Sequence, residues 1–290
     1  MPQRFLAAID FSEHARYAAE RAAMLTAEQS GRLELLHVVA KAPLDALRSE
    51  LRVAPDAAAK LVEDVCRMLD RLAADLTAKT GTAPARRVEI GDVLNVIGLE
   101  CRRAELLVLG AHGTNPLRDM ILGTTAERLL GRCPRPVLVV KRAPRNAYLK
   151  VLVPVDLSPR STSVLRTALR VAPKSAITIT HAYDVPFEGK LHLAGVADET
   201  IQAHRLEAAN KATAAIRDLG ESVAGERGRF AHAVHLENPS RSIIETEHKL
   251  MPDLIVMGKQ GRSMLEEVLV GSVTRHVLGN SRCDVLVVQE

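Results

Sequence analysis

The sequence predicts two tandem doubly wound α/β domains, each built on a five-stranded parallel sheet. Three observations carry that prediction. Short, unbroken apolar runs such as Leu106-Leu107-Val108-Leu109 and Leu254-Ile255-Val256-Met257 alternate with helical patterns, as strands buried on both faces do. A glycine spacing occurs twice: Gly110, Gly113 and Gly123-Thr124 match Gly258, Gly261 and Gly271-Ser272, each G-x2-G-x9-G-[ST] and about 148 residues apart. The 290 residues allow two domains of about 145 residues, each long enough to bury its own core. The repeat sets the domains at 1–142 and 150–290. Between them Pro144, Asn146 and several basic residues interrupt two apolar runs, which reads as a linker.

Each half opens with an apolar strand ending in aspartate, Phe5 to Asp10 and Val151 to Asp156. A helix-start signal follows at once. Ser12 can cap a helix whose inner face is Ala15, Ala18, Ala19, Ala22 and Leu25, and Ser158-Pro159 supplies a cap with proline at the first helical position. Leu33 to Val39 and Ile177 to His181 read as second strands. Leu61, Val62, Val65, Met68, Leu69, Leu72 and Leu76 then recur at three- and four-residue steps, the mark of an amphipathic helix. Arg87 to Ile90 and Ala231 to Leu236 read as third strands, the runs before the glycine motifs as fourth strands, and Val137 to Val140 and Val285 to Val288 as closing strands. In such sheets ligands sit outside the carboxyl ends of the strands. Asp10, Asp156, Gly110 and Gly258 all fall there.

Composition narrows the partners. The net charge of +4 comes from 39 basic and 35 acidic residues that are interspersed, with four Phe, three Tyr and no Trp, so neither a basic stripe nor a base-stacking platform is present. Nucleic acid is not an expected partner. No apolar stretch reaches the roughly 20 residues of a membrane span, and the first residues enter a strand directly, so no membrane association and a cytoplasmic location are expected. Cys66, Cys101, Cys133 and Cys283 lack paired spacing and are expected as reduced thiols.

Glycine at a strand end permits a tight turn, and a second one three residues on brings the backbone close to a ligand with no Cβ in the way. The arm returns to Gly123-Thr124-Thr125 or Gly271-Ser272-Val273 at the start of another helix. Free N–H groups, the helix dipole and a hydroxyl meet there, which suits phosphate. The competing reading is that these glycines only turn the loop and pack the helix. The motif is not a P-loop, since no G-x4-G-K-[ST] occurs, and not a dinucleotide fingerprint, since no G-x-G-x-x-G follows a first strand.

These residues resemble the universal stress protein family in its tandem form, over essentially the whole chain. The resemblance rests on Asp10-Phe11-Ser12, Asp156-Leu157-Ser158, Leu36-His37-Val38, both glycine motifs and Pro136-Val137-Leu138-Val139-Val140. It implies a Rossmann-like sheet in order 3-2-1-4-5 and ATP, with or without Mg, between the ends of strands one and four. By the same resemblance Asp10 and Asp156 lie near adenine and ribose, Val38 and Ala182 present backbone to adenine, and the glycines with Thr124, Thr125, Ser272 and Val273 hold ribose and phosphates. It also implies that the halves pair through their closing strands. A homodimer of the whole chain is a further expectation. The halves differ: Thr125 stands where the second has Val273, Lys259 lies inside the second glycine turn, and Gly91-Asp92 is matched by Glu237-Asn238-Pro239 with a shifted offset.

Catalysis finds little support. His37 and His181 occupy matching positions, yet no acidic partner sits at recognisable spacing, and a single carboxylate is thin equipment for phosphoryl transfer. Three readings follow: a nucleotide-binding stress-response protein, a slow ATP-hydrolysing enzyme, or a scaffold in which the nucleotide is structural. The segment from Tyr183 to Asp198, with Pro186, Gly189 and Gly195, is expected as a mobile flap near the second site.

Overall fold

The computed structural model describes residues 3–41, 55–113, 122–185, 187–224, 230–261 and 270–289. In chain order the first half holds β1 (Arg4–Ala8), α1 (Glu13–Glu28), β2 (Arg32–Ala40), α2 (Pro55–Thr80), β3 (Ala85–Gly91), α3 (Val93–Cys101), β4 (Leu106–Gly110), α4 (Thr124–Arg132) and β5 (Val137–Val140). The second holds β6 (Lys150–Pro154), α5 (Ser161–Val171), β7 (Ala176–Ala182), α6 (Glu188–Leu193), α7 (Asp198–Ala224), β8 (Phe230–His235), α8 (Pro239–Leu250), β9 (Leu254–Gly258), α9 (Ser272–Asn280) and β10 (Asp284–Val288). The chain forms two compact units. The first runs from the start of the chain to Ala147 and takes in β10, while the second begins at Tyr148 and ends at Cys283.

In the first unit the strands lie in the order β3-β2-β1-β4-β5. Its neighbours are parallel, in register Phe5↔Leu33, Phe5↔Leu106, Leu36↔Arg87 and Leu107↔Val137. The apolar runs explain this arrangement, because β4 and β5 are buried along nearly their whole length and so need cover on both faces. Helix pairs α1 with α2 and α3 with α4 supply it. β10 joins this unit antiparallel to β5, in register Val285↔Val139 and Val287↔Val137, which pairs the otherwise open edge of β5. Its first residue, Asp284, is buried, accepts the Lys141 N–H at 2.9 Å and faces the Arg21 guanidinium at 3.6 Å. In the second unit β8, β7, β6 and β9 follow the same parallel order, covered by α5 and α7 and by α8 with α9.

Several local expectations need correction. α5 does not start at Ser158-Pro159; its cap position is Arg160, and Ser161 is the first helical residue. The Asp156 carboxylate accepts hydrogen bonds from the Ser158 N–H and the Ser161 hydroxyl, and this turn takes the residues meant for the first helical turn. On α2, Val65, Leu69 and Leu76 are buried, whereas Leu61 and Met68, at the edge of the apolar stripe, are about two-fifths exposed, 39% and 43%. The segment expected as a flap contains α6, whose Glu188 pairs with Arg205 of α7; Pro186 lies outside the described residues. Cys101 and Cys133 are disulfide-bonded, with Cα atoms 6.1 Å apart, contrary to the expected reduced thiols. The packing of α3 against α4 brings together the ends of two helices that sequence spacing had left unrelated.

A cavity at the strand ends of each unit

Both opening strands stop two residues before their aspartate, and the chain then turns in the same way twice. The Asp10 carboxylate accepts the Ser12 N–H at 3.0 Å, and Asp156 accepts the Ser158 N–H at 3.0 Å. The residue between adopts the left-handed region in each copy, Phe11 at φ 63° and Leu157 at φ 58°. Left-handed backbone is unfavourable for side chains of this size, so its repetition marks a turn that the surroundings impose. Sequence reasoning missed it, since only glycine or asparagine at these positions would have announced such a turn. In the first unit the Ser12 hydroxyl accepts the Ala15 N–H at 3.2 Å as a cap and donates to the His112 carbonyl at 3.2 Å, which ties this turn to the glycine loop.

The glycines have different reasons. A Cβ on Gly110 would lie 2.6 Å from the His14 backbone, so this glycine lets α1 pass against the end of β4. On Gly258 the nearest neighbour would be at 3.4 Å, which is ordinary contact. At the next glycine the neighbour is the carboxylate: Asp10 Oδ2 would be 2.9 Å from a Cβ on Gly113, and Asp156 Oδ2 3.7 Å from one on Gly261. Most of the arm between the second and third glycines lies outside the described residues. Its return is defined by Gly123 N–H to the Ala111 carbonyl and Gly271 N–H to the Lys259 carbonyl, both 2.9 Å.

Gly123 and Gly271 are the cap residues of α4 and α9, and neither helix has a side-chain cap. The first backbone bonds are Glu127 N–H to the Gly123 carbonyl at 3.0 Å and Arg275 N–H to the Gly271 carbonyl at 2.9 Å. The N–H groups of Thr124 and Thr125, and of Ser272 and Val273, therefore precede the first carbonyl their own helix supplies. A strand-end parity adds a second set of polar groups. The Leu36 carbonyl accepts the Ile9 N–H at 2.9 Å on the β1 side, and Val38, two residues on, turns its N–H and C=O the same way beyond the last β1 register pair, Ala8↔Leu36. Thr180 accepts from Val155 at 2.9 Å, so Ala182 repeats the arrangement past β6.

These groups line one cavity per unit. Asp10, Val38, Gly110, Gly113, Gly123, Thr124 and Thr125 line the first, of about 870 Å³. Asp156, Ala182, Gly258, Gly261, Gly271, Ser272 and Val273 line the second, of about 680 Å³. Either exceeds the lower end of the range for small-molecule sites, about 300 to 1,000 Å³. The charges were not legible in sequence. Arg160, Lys211 and Asp184 line the second cavity, and Gln260 rather than Lys259 does so beside the glycine turn. In the first unit a recess of about 480 Å³ at the start of α4 brings Lys41 and Arg128 beside Thr124 and Thr125.

His37 and His181 are packed in the same way, each ring Nδ1 lying 2.7 and 2.8 Å from the carbonyls of Ile9 and Val155. Burial pushes the His37 imidazole down from its ordinary pKa, against the pull of the Ile9 carbonyl and of Asp10. His14 is also lowered, by burial and by His112, whose ring packs on it edge to face at 4.9 Å. Both matching histidines thus serve the strand ends. Among the described residues no three His, Cys, Asp or Glu side chains gather as a metal site.

Two doubly wound α/β units, each with a glycine-lined cavity beyond its strand ends, define a tandem α/β protein with a repeated strand-end cavity. The universal stress protein family model matches residues 1–141 and again 147–289, and the chain belongs to that family. A universal stress protein of Methanocaldococcus jannaschii is 33% identical over 154 residues, covering 50% of this chain and 84% of its own. One from Mycobacterium tuberculosis is 27% identical over 196 residues, covering 64% of this chain and 62% of its own. The crystal structure of a universal stress protein from Archaeoglobus fulgidus superposes with a TM-score of 0.70 over 99% of this chain and 98% of that one, at 18% identity, which establishes likeness of fold. No helix among the described residues is long and apolar enough to cross a membrane.

Proposed function

We propose that this chain binds an adenine nucleotide, ATP in the first place, in one or both cavities, and acts as a nucleotide-dependent stress-response regulator or binding protein. The observation that carries the reading is the pair of uncapped helix starts at Gly123 and Gly271, each facing a cavity whose opposite end holds backbone polar groups beyond a shortened strand. The uncapped N–H groups with the hydroxyls of Thr124, Thr125 and Ser272 suit phosphate. Val38 and Ala182 supply an N–H and a C=O at one strand end, a pattern that a purine edge can match. Asp10 and Asp156 stand between these ends, where a ribose hydroxyl would donate to them.

Magnesium enters this reading only with the phosphates it accompanies. The nucleotide supplies charge and shape on which a change of partner or conformation turns; the residues of the chain hold it. A cytoplasmic location and a homodimer belong to the same proposal.

Isothermal titration of nucleotide-stripped protein with Mg-ATP, followed by assay of the product for ADP, tests it. One or two ATP per chain, recovered intact, is the expected result. Absence of heat, together with no displacement of a fluorescent ATP analogue, would leave the glycines with a structural role alone.

A further inference from the structure

The two cavities differ at one buried position on the strand that carries the base-facing backbone. Leu36 and Thr180 are equivalent, since each accepts from the residue just beyond the end of the opening strand, Ile9 and Val155 respectively, and each precedes the packed histidine. Both residues border their cavities. Leu36 is fully buried and apolar. Thr180 is only 2% exposed, and its hydroxyl has no hydrogen-bond partner among the described residues. Burying a hydroxyl without a partner is unfavourable, and such groups are rare in folded proteins. Ser242 of α8, likewise 2% exposed and lining the same cavity, already donates to the Pro239 carbonyl at 3.1 Å.

On the reading of the cavities as nucleotide sites, we infer that Thr180 reads the base in the second cavity, while the first, with Leu36, holds the base by backbone and apolar contact alone. The sheet supplies the reason for assigning it to the base. β7, which carries Thr180, lies two strands from β9, after which the chain returns to the Gly271 helix start. Two strand spacings amount to about 10 Å. That separates the hydroxyl from the phosphate end and sets it against the far end of a nucleotide. A threonine hydroxyl both donates and accepts, so it can meet a ring nitrogen or an exocyclic amine.

The test uses the full chain carrying Gly123→Val, so that titration reports the second cavity, with ATP and inorganic tripolyphosphate as probes. Thr180→Val keeps the shape and removes the hydroxyl. It is expected to weaken ATP roughly fivefold to thirtyfold, the range for losing one buried hydrogen bond, and to leave tripolyphosphate unchanged. Thr180→Ser restores ATP affinity, and the thermal midpoint of the ligand-free Thr180→Val protein is unchanged or raised. Equal ATP affinity in Thr180→Val and its parent overturns the inference and leaves the nucleotide reading standing. Equal loss of ATP and tripolyphosphate overturns it by showing that Thr180 acts through structure. Failure of the parent to bind either probe defeats both.

Discussion

The Asp10 carboxylate stands where a side chain on Gly113 would have to go, its Oδ2 2.9 Å from the position of a Cβ there. The second glycine of the motif is thus explained by the aspartate that ends the opening strand, 103 positions earlier in the chain. The same pair in the second unit, Asp156 and Gly261, is looser at 3.7 Å. Gly113→Ala should leave the fold intact, because a carboxylate can swing aside, yet displace Asp10 and weaken nucleotide binding in the first unit by about tenfold. Gly261→Ala should change binding far less. Titration of each variant, with the other unit disabled, measures the contrast, and equal effects would sink it.

Gly110 and Gly258 should differ in the opposite sense, on stability. A Cβ at Gly110 meets backbone of α1 at 2.6 Å, which cannot yield as a side chain does. Gly110→Ala should destabilise by about 1 to 3 kcal/mol, as overpacking does, while Gly258→Ala should be nearly neutral. Chemical denaturation of the two variants side by side gives the comparison.

Gly123 and Gly271 have ordinary backbone angles, φ −54° and −59°, and a Cβ would meet its nearest neighbour at 3.4 and 3.2 Å. Gly123→Val should therefore fold, and Gly271→Val should fold once the Lys259 carbonyl gives by a few tenths of an ångström. Each should abolish binding in its own cavity, because the branched side chain fills the space beside the uncapped N–H groups. A folded double variant with unchanged ATP affinity would refute the phosphate-site reading.

His37 makes stability depend on pH. Its pKa is lowered in the folded state from the usual 6.5, chiefly by burial, so below that value the unfolded chain takes up the proton first. The neutral ring's contribution is present above pH 6.5 and is lost as pH falls towards the folded pKa. Unfolding midpoints measured from pH 7.5 to 5 should fall, and His37→Gln should flatten the decline. An unaltered slope in the variant would exclude His37 as its source.

Cys101 and Cys133 are bonded, and Cys66 and Cys283 stand outside the bridge. Thiol titration in denaturant without reductant should find two reactive cysteines per chain, rising to four after reduction. The bridge closes a loop of 32 residues, for which the chain-entropy model gives about 3 to 4 kcal/mol. Reduction should accordingly lower the unfolding midpoint, and four thiols before reduction would remove the bridge from the account.

What the sequence by itself determined was whatever depends on local pattern and repetition. Unbroken apolar runs such as Leu106 to Leu109 dictate doubly covered parallel strands, Ser12 dictates a cap that forms as read, and the duplicated glycine spacing dictates two copies of one fold. Only the tertiary structure decided which distant groups meet, because closeness across a sheet is set by strand order and helix packing, on which local composition is silent. That is why Cys101 found Cys133, why Asp156 and its two serines displaced the expected start of α5, and why Phe11 and Leu157 are held left-handed. It is also why the glycines divide by role. Gly110 answers to the backbone of α1 and Gly113 to Asp10, and no reading of neighbouring residues could have told one from the other.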